Sequence, residues 1–438
     1  MEVFDRVHLD VVDYDVKGRG LGKVDGAVVF LDGGEIGDKV EVEILKKKKK
    51  FYEGKIVDYD KKSSHRVKNP CPYDRCNGCA FLSLERKSEL AWKRERVASA
   101  VSRIGGIDTK VEEVNTGGDV FGYRNHMQFH VKNGKLCLYG KDGELIPIRR
   151  CLMQSERGNE ILAALQGEKW LADIQTVGIR TTRAGEVMVI LVGKKGISDR
   201  LLHDAVAFAV EEKVDSLYYS KNKNPRFHYG KTFHHLYGKE TIEETLGQFR
   251  YGIGAGNFFQ INPFGAEAIT REVTKNLIGA ETVVELYSGI GTITLAASRM
   301  AGQVIGNEIS EISVDYARQT AEKNGVANVR YIAGPAEKML PKIAEEETID
   351  GLIVDPPRAG LDPVVIDTLL ESRPKQILYV SCNPSTLARD LDLLADAYDI
   401  ATMQPIDMFP HTASVEIVTV LFERNTDHHL DIEIEEDE

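Results

Sequence analysis

One thiol and two carboxylates end apolar runs of this chain in the manner of side chains delivered to a reaction site. Cys382 closes Ile377-Leu-Tyr-Val-Ser-Cys-Asn-Pro-Ser-Thr386, where a strand-like run brings sulfur to the mouth of a loop and helix. Asp355, 27 residues upstream, sits likewise in Gly351-Leu-Ile-Val-Asp-Pro-Pro-Arg-Ala-Gly360, and Glu416 follows downstream in His411-Thr-Ala-Ser-Val-Glu-Ile-Val. Val283-Val-Glu-Leu-Tyr-Ser-Gly-Ile-Gly-Thr292 reads as the first strand and glycine turn of a nucleotide-type cofactor site. Glu308 ends the next strand about 20 residues later, where a carboxylate accepts hydrogen bonds from ribose hydroxyls. A glycine pair alone is a weak signal, because tight turns need glycine on steric grounds and the full G-x-G-x-x-G is absent. Joined to Glu308 and Asp-Pro-Pro-Arg, it favours S-adenosylmethionine over a nicotinamide cofactor.

A thiol and a carboxylate beside a methyl donor suit carbon methylation of a pyrimidine. C5 of uracil is a poor nucleophile. Addition of a thiolate to C6 creates an enolate whose C5 can attack a sulfonium methyl group, and a base then removes the C5 proton so that the thiolate leaves. Cys382 suits the first role, since a helix starting near Ser385 would place its positive dipole end by the thiolate. Glu416 suits the second. The bland alternatives are a buried core thiol and a strand carboxylate facing solvent.

Cys71-Pro-Tyr-Asp-Arg-Cys76-Asn-Gly-Cys79 sets three thiols at C-x4-C-x2-C spacing, with Cys151 a distant fourth. Zinc and iron–sulfur clusters both accept four thiolates. Three clustered cysteines plus one remote favour a cluster over the paired knuckles of zinc. Cys137, inside Lys135-Leu-Cys-Leu-Tyr, reads as a small buried residue.

At 438 residues, 42% apolar and 28% charged, the chain has the composition of an ordinary globular protein of two to four domains. No apolar run is long enough to span a bilayer and the first residues carry no secretory pattern, so a cytoplasmic monomer is expected. The net charge of −12 hides an asymmetry of +6 over residues 1–260 and −18 over 261–438. A basic first part fits a polyanion-binding module.

The elements that must position these groups fall into an α/β order. Residues 1–60 read as a small all-β unit, with Val40-Glu-Val-Glu-Ile44 in strict alternation and turns at Gly18–Gly22 and Asp32–Glu35. Lys46–Lys50 and the basic run Lys61–Arg96 favour RNA contact over a merely solvated edge. Residues 61–255 alternate β runs and helices as an α+β central domain, with a helix over Ser83–Ile104. Asn222–Lys239 interleaves basic and aromatic residues, as a single-strand platform or a surface hairpin does. Residues 256–424 place strands at Thr282–Leu286, Val304–Glu308, Asp350–Asp355, Gln376–Ser381 and Val415–Phe422 between helices, which predicts a Rossmann-like, mostly parallel sheet. Residues 425–438 read as an acidic disordered tail.

The first 60 residues resemble a TRAM domain, an OB-like β-barrel. Asp355-Pro-Pro-Arg-Ala-Gly, Tyr379-Val-Ser-Cys-Asn-Pro, Phe258-Phe-Gln-Ile-Asn and Tyr123-Arg-Asn125 together resemble the RNA uracil-C5-methyltransferase family, over nearly the whole chain. The resemblance implies methylation of a uridine in RNA to 5-methyluridine, with 23S ribosomal RNA favoured over transfer RNA. It makes Cys382 the nucleophile and Glu416 the base, gives Gln260, Tyr287, Glu308 and Asp355 to S-adenosylmethionine, and sets Phe258 to stack on the flipped base. It also implies a [4Fe–4S] cluster on Cys71, Cys76, Cys79 and Cys151, although the family's first spacing is often longer than x4. Two rivals are weighed against it: a non-catalytic iron–sulfur RNA sensor, and an amino-methyltransferase. The second needs no thiol and an aromatic residue where Arg358 stands.

Overall fold

The computed structural model describes residues 1–224 and 227–424, so the expected acidic tail lies outside the described residues. The chain divides into two compact units. One comprises Met1–Arg96, Glu113–Ile269 and Pro405–Glu416; the other comprises Val97–Glu112, Thr270–Gln404 and the chain from Ile417 onward.

The first unit starts with six strands, β1 (Arg6–Asp10), β2 (Asp13–Tyr14), β3 (Gly20–Val24), β4 (Ala27–Leu31), β5 (Lys39–Lys47) and β6 (Phe51–Lys61), in the order β1-β5-β6-β4-β3-β2. The alternation read from the sequence is realised: Val40, Val42 and Ile44 of β5 are buried with Leu9, Val11, Val29 and Leu31. Helix α1 (Arg86–Gly105) begins three residues later than expected, because Phe81–Leu84 form a turn packed under Trp92. Next come β7 (His126–Lys132), β8 (Lys135–Tyr139), β9 (Leu145–Pro147), α2 (Glu156–Leu165), β10 (Thr176–Thr181), β11 (Val187–Gly193), α3 (Asp199–Glu211), β12 (Ser216–Lys221) and β13 (Phe233–Gly238). Their strands make one sheet, β13-β12-β11-β10-β7-β8-β9, with α2 and α3 packed on its apolar core. A hairpin, β14 (Ile242–Leu246) and β15 (Phe249–Ile253), precedes helix α4 (Pro263–Asn276).

The second unit is doubly wound. Strands β16 (Ala280–Leu286), β17 (Ala301–Glu308), β18 (Val329–Ala333), β19 (Gly351–Val354) and β20 (Gln376–Ser381) are parallel, and β22 (Glu416–Glu423) pairs antiparallel with β20. With β21 (Tyr398–Ile406) the order is β18-β17-β16-β19-β20-β22-β21. Helices α5 (Thr292–Ala297), α6 (Glu311–Lys323), α7 (Ala336–Glu346), α8 (Pro363–Ser372) and α9 (Pro384–Leu394) supply the crossovers. Central strands buried on both faces become continuous apolar runs, which made β16, β19 and β20 legible. β18, half exposed and interrupted by Arg330, gives no such run and was not foreseen. Among the described residues no helix is long and apolar enough to cross a membrane.

Two members of the basic run Lys61–Arg96 are committed internally. Arg66 forks onto buried Asp38, with Nε and Nη2 at 2.8 and 2.5 Å, and Lys93 is fully buried. Asp38 also accepts the backbone N–H groups of Glu35 and Ser63, tying the six-stranded sheet to the segment after it. Beside it, the Tyr14 hydroxyl donates to Glu35 at 2.7 Å.

Burial pushes the Glu35 carboxyl up to about 7. A folded-state value above the unfolded one means that stability held at low pH is lost as pH rises through about 7. Glu35→Gln keeps an acceptor for Tyr14 and should be increasingly stabilising relative to wild type from about pH 4.5 to 7, then level. The expected plateau is on the order of 1–3 kcal/mol in urea unfolding; a pH-independent difference would refute the assignment.

Candidate active site and thiol cavity

In the second unit, four singled-out residues stand at the carboxyl ends of adjacent parallel strands. Glu308 ends β17, Tyr287 follows β16, Asp355 follows β19 and Cys382 follows β20, and these strands are neighbours in that order. At about 4.8 Å per strand the four positions span roughly 15 Å. The strand order reverses between β16 and β19, where open α/β sheets form their ligand crevice.

The glycine turn after β16 is shaped for close approach. Tyr287 has φ 64°, Gly289 φ 55° and Gly291 φ 82°, three left-handed residues in five. A Cβ built at Gly289 would meet nothing within 4 Å, so that backbone faces open space. One built at Gly291 would lie 2.3 Å from the Tyr331 hydroxyl, so glycine is required there on packing grounds. The Glu308 carboxylate accepts the backbone N–H of Gly289 (3.1 Å) and of Ser310 (2.9 Å), which fixes it beside the turn. Ser288 keeps a buried hydroxyl without a partner among the described residues. An open backbone, an oriented carboxylate and an unsatisfied hydroxyl fit an adenosyl-type cofactor with ribose hydroxyls.

Two acids here are raised well above the ordinary carboxylate range. Burial pushes Asp355 up to about 7. Burial, with the neighbouring Asp355 and Glu308 charges, pushes Glu285 up to about 8, and Glu285 accepts a hydrogen bond from Thr294. Glu285 lies in the quoted strand, yet its type and place gave no sign of this role.

Cys382 is partly exposed and directly precedes Asn383, the N-cap of α9, whose side chain accepts from Ser385 N–H at 3.2 Å. The same side chain donates to the Arg358 carbonyl at 2.9 Å, Thr386 donates there too, and Arg389 donates to the Ala359 carbonyl. The Asp-Pro-Pro-Arg loop and the Cys382 turn are thus one braced piece. Ser381, the residue before Cys382, pairs with Ile417, the residue after Glu416. Cys382 and Glu416 therefore each sit one step beyond the last matched pair of β20 and β22.

In the first unit, Phe258 is 68% exposed, whereas its neighbour Phe259 is buried against Tyr251. Their loop is held from below. Asn125 donates to the Gln260 carbonyl (3.2 Å) and, through its backbone, to that of Ile261 (2.8 Å). Arg180 of β10 donates to the carbonyls of Gly254 (3.2 Å) and Asn257 (3.0 Å) and to His126 Nδ1. Arg180 is buried and among the described residues makes no salt bridge, and burial lowers it to about 10. Sequence reasoning missed it; a lone arginine inside the apolar run Thr-Val-Gly-Ile-Arg-Thr was the available signal.

The four cysteines Cys71, Cys76, Cys79 and Cys151 all line one cavity of about 340 Å³ in the first unit, together with Arg124. Burial pushes the Cys79 thiol up to about 12 and raises Cys76 and Cys151, with the neighbouring thiols adding to each shift. Cys137 is buried in β8 instead and does not line the cavity. Among the described residues no group of three His, Cys, Asp or Glu side chains forms a site for a single metal ion.

The profile described as tRNA (uracil-5-)-methyltransferase matches residues 150–425, and the TRAM domain matches residues 2–57. An uncharacterized RNA methyltransferase of Listeria innocua is 37% identical, with 93% of this chain and 96% of that protein covered. One from Caldanaerobacter subterraneus is 35% identical, covering 96% and 99%. The structure is similar to that of a Pyrococcus abyssi tRNA (uracil-54, C5)-methyltransferase in complex with S-adenosyl-L-homocysteine, with a TM-score of 0.77, 26% identity and coverage of 95% and 100%.

The brace at Cys382 yields a graded expectation. Asn383→Ala loses both the cap and the Arg358 bond and should lower unfolding stability by about 1–2 kcal/mol. Asn383→Asp keeps the cap alone and should cost less. Equal losses in denaturant titration would show that the cap contributes nothing, and no loss in Asn383→Asp that the Arg358 bond contributes nothing.

Proposed function

The chain belongs to the tRNA (uracil-5-)-methyltransferase family, and on that premise we propose that it methylates C5 of a specific uridine in RNA through a covalent bond from Cys382 to C6 of the base. The observation that carries the reading is the alignment of Glu308, Tyr287, Asp355 and Cys382 along the carboxyl edge of four adjacent strands. S-adenosylmethionine, when bound, supplies the electrophilic methyl carbon. Tyr287, Glu308, Asp355 and Gln260 would hold it, Glu308 by accepting from the ribose hydroxyls. Phe258, exposed on its braced loop, would stack on the extruded uracil.

The thiolate of Cys382 adds to C6, and the electron pair of the C5–C6 double bond moves into the O4 enolate. C5 then takes the methyl group. The Glu416 carboxylate removes the remaining C5 proton, the double bond re-forms, and the C6–S bond breaks to return the thiolate. The dipole of α9 favours the anionic form at the start and end of this cycle.

We assign the thiol cavity a [4Fe–4S] cluster in a structural role, supported by four thiols that line one cavity of about 340 Å³. The cycle above transfers no electrons, so the cluster need not react. Large-subunit ribosomal RNA is the proposed target, with the protein a cytoplasmic monomer. Likeness to a transfer-RNA enzyme favours transfer RNA as the second reading.

Cys382→Ala should reduce 5-methyluridine formation by at least about 1000-fold and abolish the adduct with 5-fluorouridine RNA, with the fold retained; substantial turnover by this variant would sink the nucleophile assignment. Anaerobically prepared protein should contain about four iron and four acid-labile sulfide per chain, and Cys79→Ser should lose most of both; iron-free wild type of equal RNA affinity would overturn the cluster proposal. Mapping 5-methyluridine in ribosomal and transfer RNA of a deletion strain decides between the two targets.

A further inference from the structure

The chain leading to Glu416 passes through a buried ionic clamp that the catalytic cycle does not use. Lys93 of α1 is fully buried, and its ammonium donates to Glu89 (2.8 Å), to Asp407 (2.5 Å) and to the carbonyl of Phe409 (3.1 Å). Arg86 pairs with Glu89 at 2.7 Å and also with Asp407. Glu89 in turn accepts the backbone N–H of His411 at 2.8 Å. Two cations therefore balance two carboxylates, and all four act on the segment from Asp407 to His411.

Other groups grip the same few residues. The Tyr123 hydroxyl donates to the Pro410 carbonyl (3.1 Å), and the backbone N–H groups of Ala80 and Phe81 both donate to the His411 carbonyl (2.9 and 3.1 Å). His411 itself adopts φ 62°, a left-handed conformation that a non-glycine residue keeps only when its surroundings over-determine it. Its ring stacks on Phe121 with centroids 4.8 Å apart. Glu416 lies five positions after this locked point.

Buried ion clusters are poor stabilisers, since well-packed apolar groups of similar volume often do as well or better. A cluster in which Lys93, Arg86 and Glu89 each also bond to one short segment is better explained by what that segment carries. Resting on the reading of Glu416 as the base, we propose that Lys93 is a positioning residue for the elimination step: with Glu89 and Asp407 it fixes the chain that presents the Glu416 carboxylate to the C5 proton. In that step the carboxylate takes the proton, the C–H pair re-forms the C5–C6 double bond through the enolate, and the C6–S pair returns to Cys382. A misplacement of about 1 Å costs such a transfer on the order of 100-fold. Thiol addition and methyl transfer do not use the carboxylate and should be spared.

The test uses full-length protein with unmodified 23S ribosomal RNA and transfer RNA transcripts, scoring the denaturation-resistant protein–RNA adduct and released 5-methyluridine. Lys93→Met with Glu89→Gln keeps the remaining charges balanced; Asp407→Asn is the second variant should that pair fail to fold. Glu416→Gln is the control, and should leave the methylated adduct standing. The clamp variants should raise the steady-state adduct at least about ten-fold and slow product release by about 100-fold, with S-adenosylmethionine affinity and trapping by 5-fluorouridine RNA unchanged. Adduct building up in Glu416→Gln but not in the clamp variants overturns the positioning role alone. No adduct in Glu416→Gln overturns the reading of the base, and the inference with it.

Discussion

Parallel pairing of β17, β16, β19 and β20 aligns four strand ends on one edge, and the candidate chemistry depends on that alignment. β16, β19 and β20 are largely apolar and buried, and β17 is buried from Val304 to Asn307, so a slip by one residue would exchange the side chains packed on their two covered faces. Register held by burial is therefore register held at the site. The same logic carries over to β22, whose pairing with β20 is antiparallel. Ile417 opposite Ser381 brings a downstream carboxylate and an upstream thiol to the same end of two neighbouring strands without any loop having to find its place.

Around this ladder the loops are braced rather than left to fluctuate. Asn383 both caps α9 and holds the Arg358 carbonyl, joining the third strand-end loop to the fourth. In the first unit Arg180 and Asn125 hold the loop of Phe258 and Gln260 through backbone carbonyls. Carbonyl acceptors fix the path of the chain whatever its side chains are, so the exposed aromatic ring remains free to meet a ligand. Burying Arg180 with no carboxylate partner among the described residues is costly. The cost falls at a place where the chain must be held still.

The first unit also gathers cysteines that are far apart in the chain. Cys151 reaches the cavity of Cys71, Cys76 and Cys79 because the residues just before β7 pair with those around it: Arg124 N–H donates to the Met153 carbonyl, and Ser155 N–H donates to that of Arg124. The next residue, Asn125, grips the loop of Gln260. One short stretch, Tyr123-Arg-Asn125, thus touches the thiol cavity, the loop of Phe258 and, through Tyr123, the segment before Glu416.

Local signals were legible wherever the physics is local. An apolar run followed by Asn-Pro marks a strand end, an N-cap and a first helical turn, which placed Cys382 correctly. Two glycines after a strand mark a turn with left-handed residues, and strict alternation in β5 declared its buried face. Lys93 was not legible: Glu89 and Lys93 at i, i+4 look like a surface pair, and only the return of residues 407–411 onto α1 buries them. Glu285 and Arg180 likewise acquire their character from neighbours distant in the chain. By itself the sequence determined the kinds of reactive group, the strand ends that bear them and the family. Which strands lie side by side, which charges are taken out of water and which cysteines meet were decided by tertiary packing, because burial and pairing between remote segments leave no mark on any local run of residues.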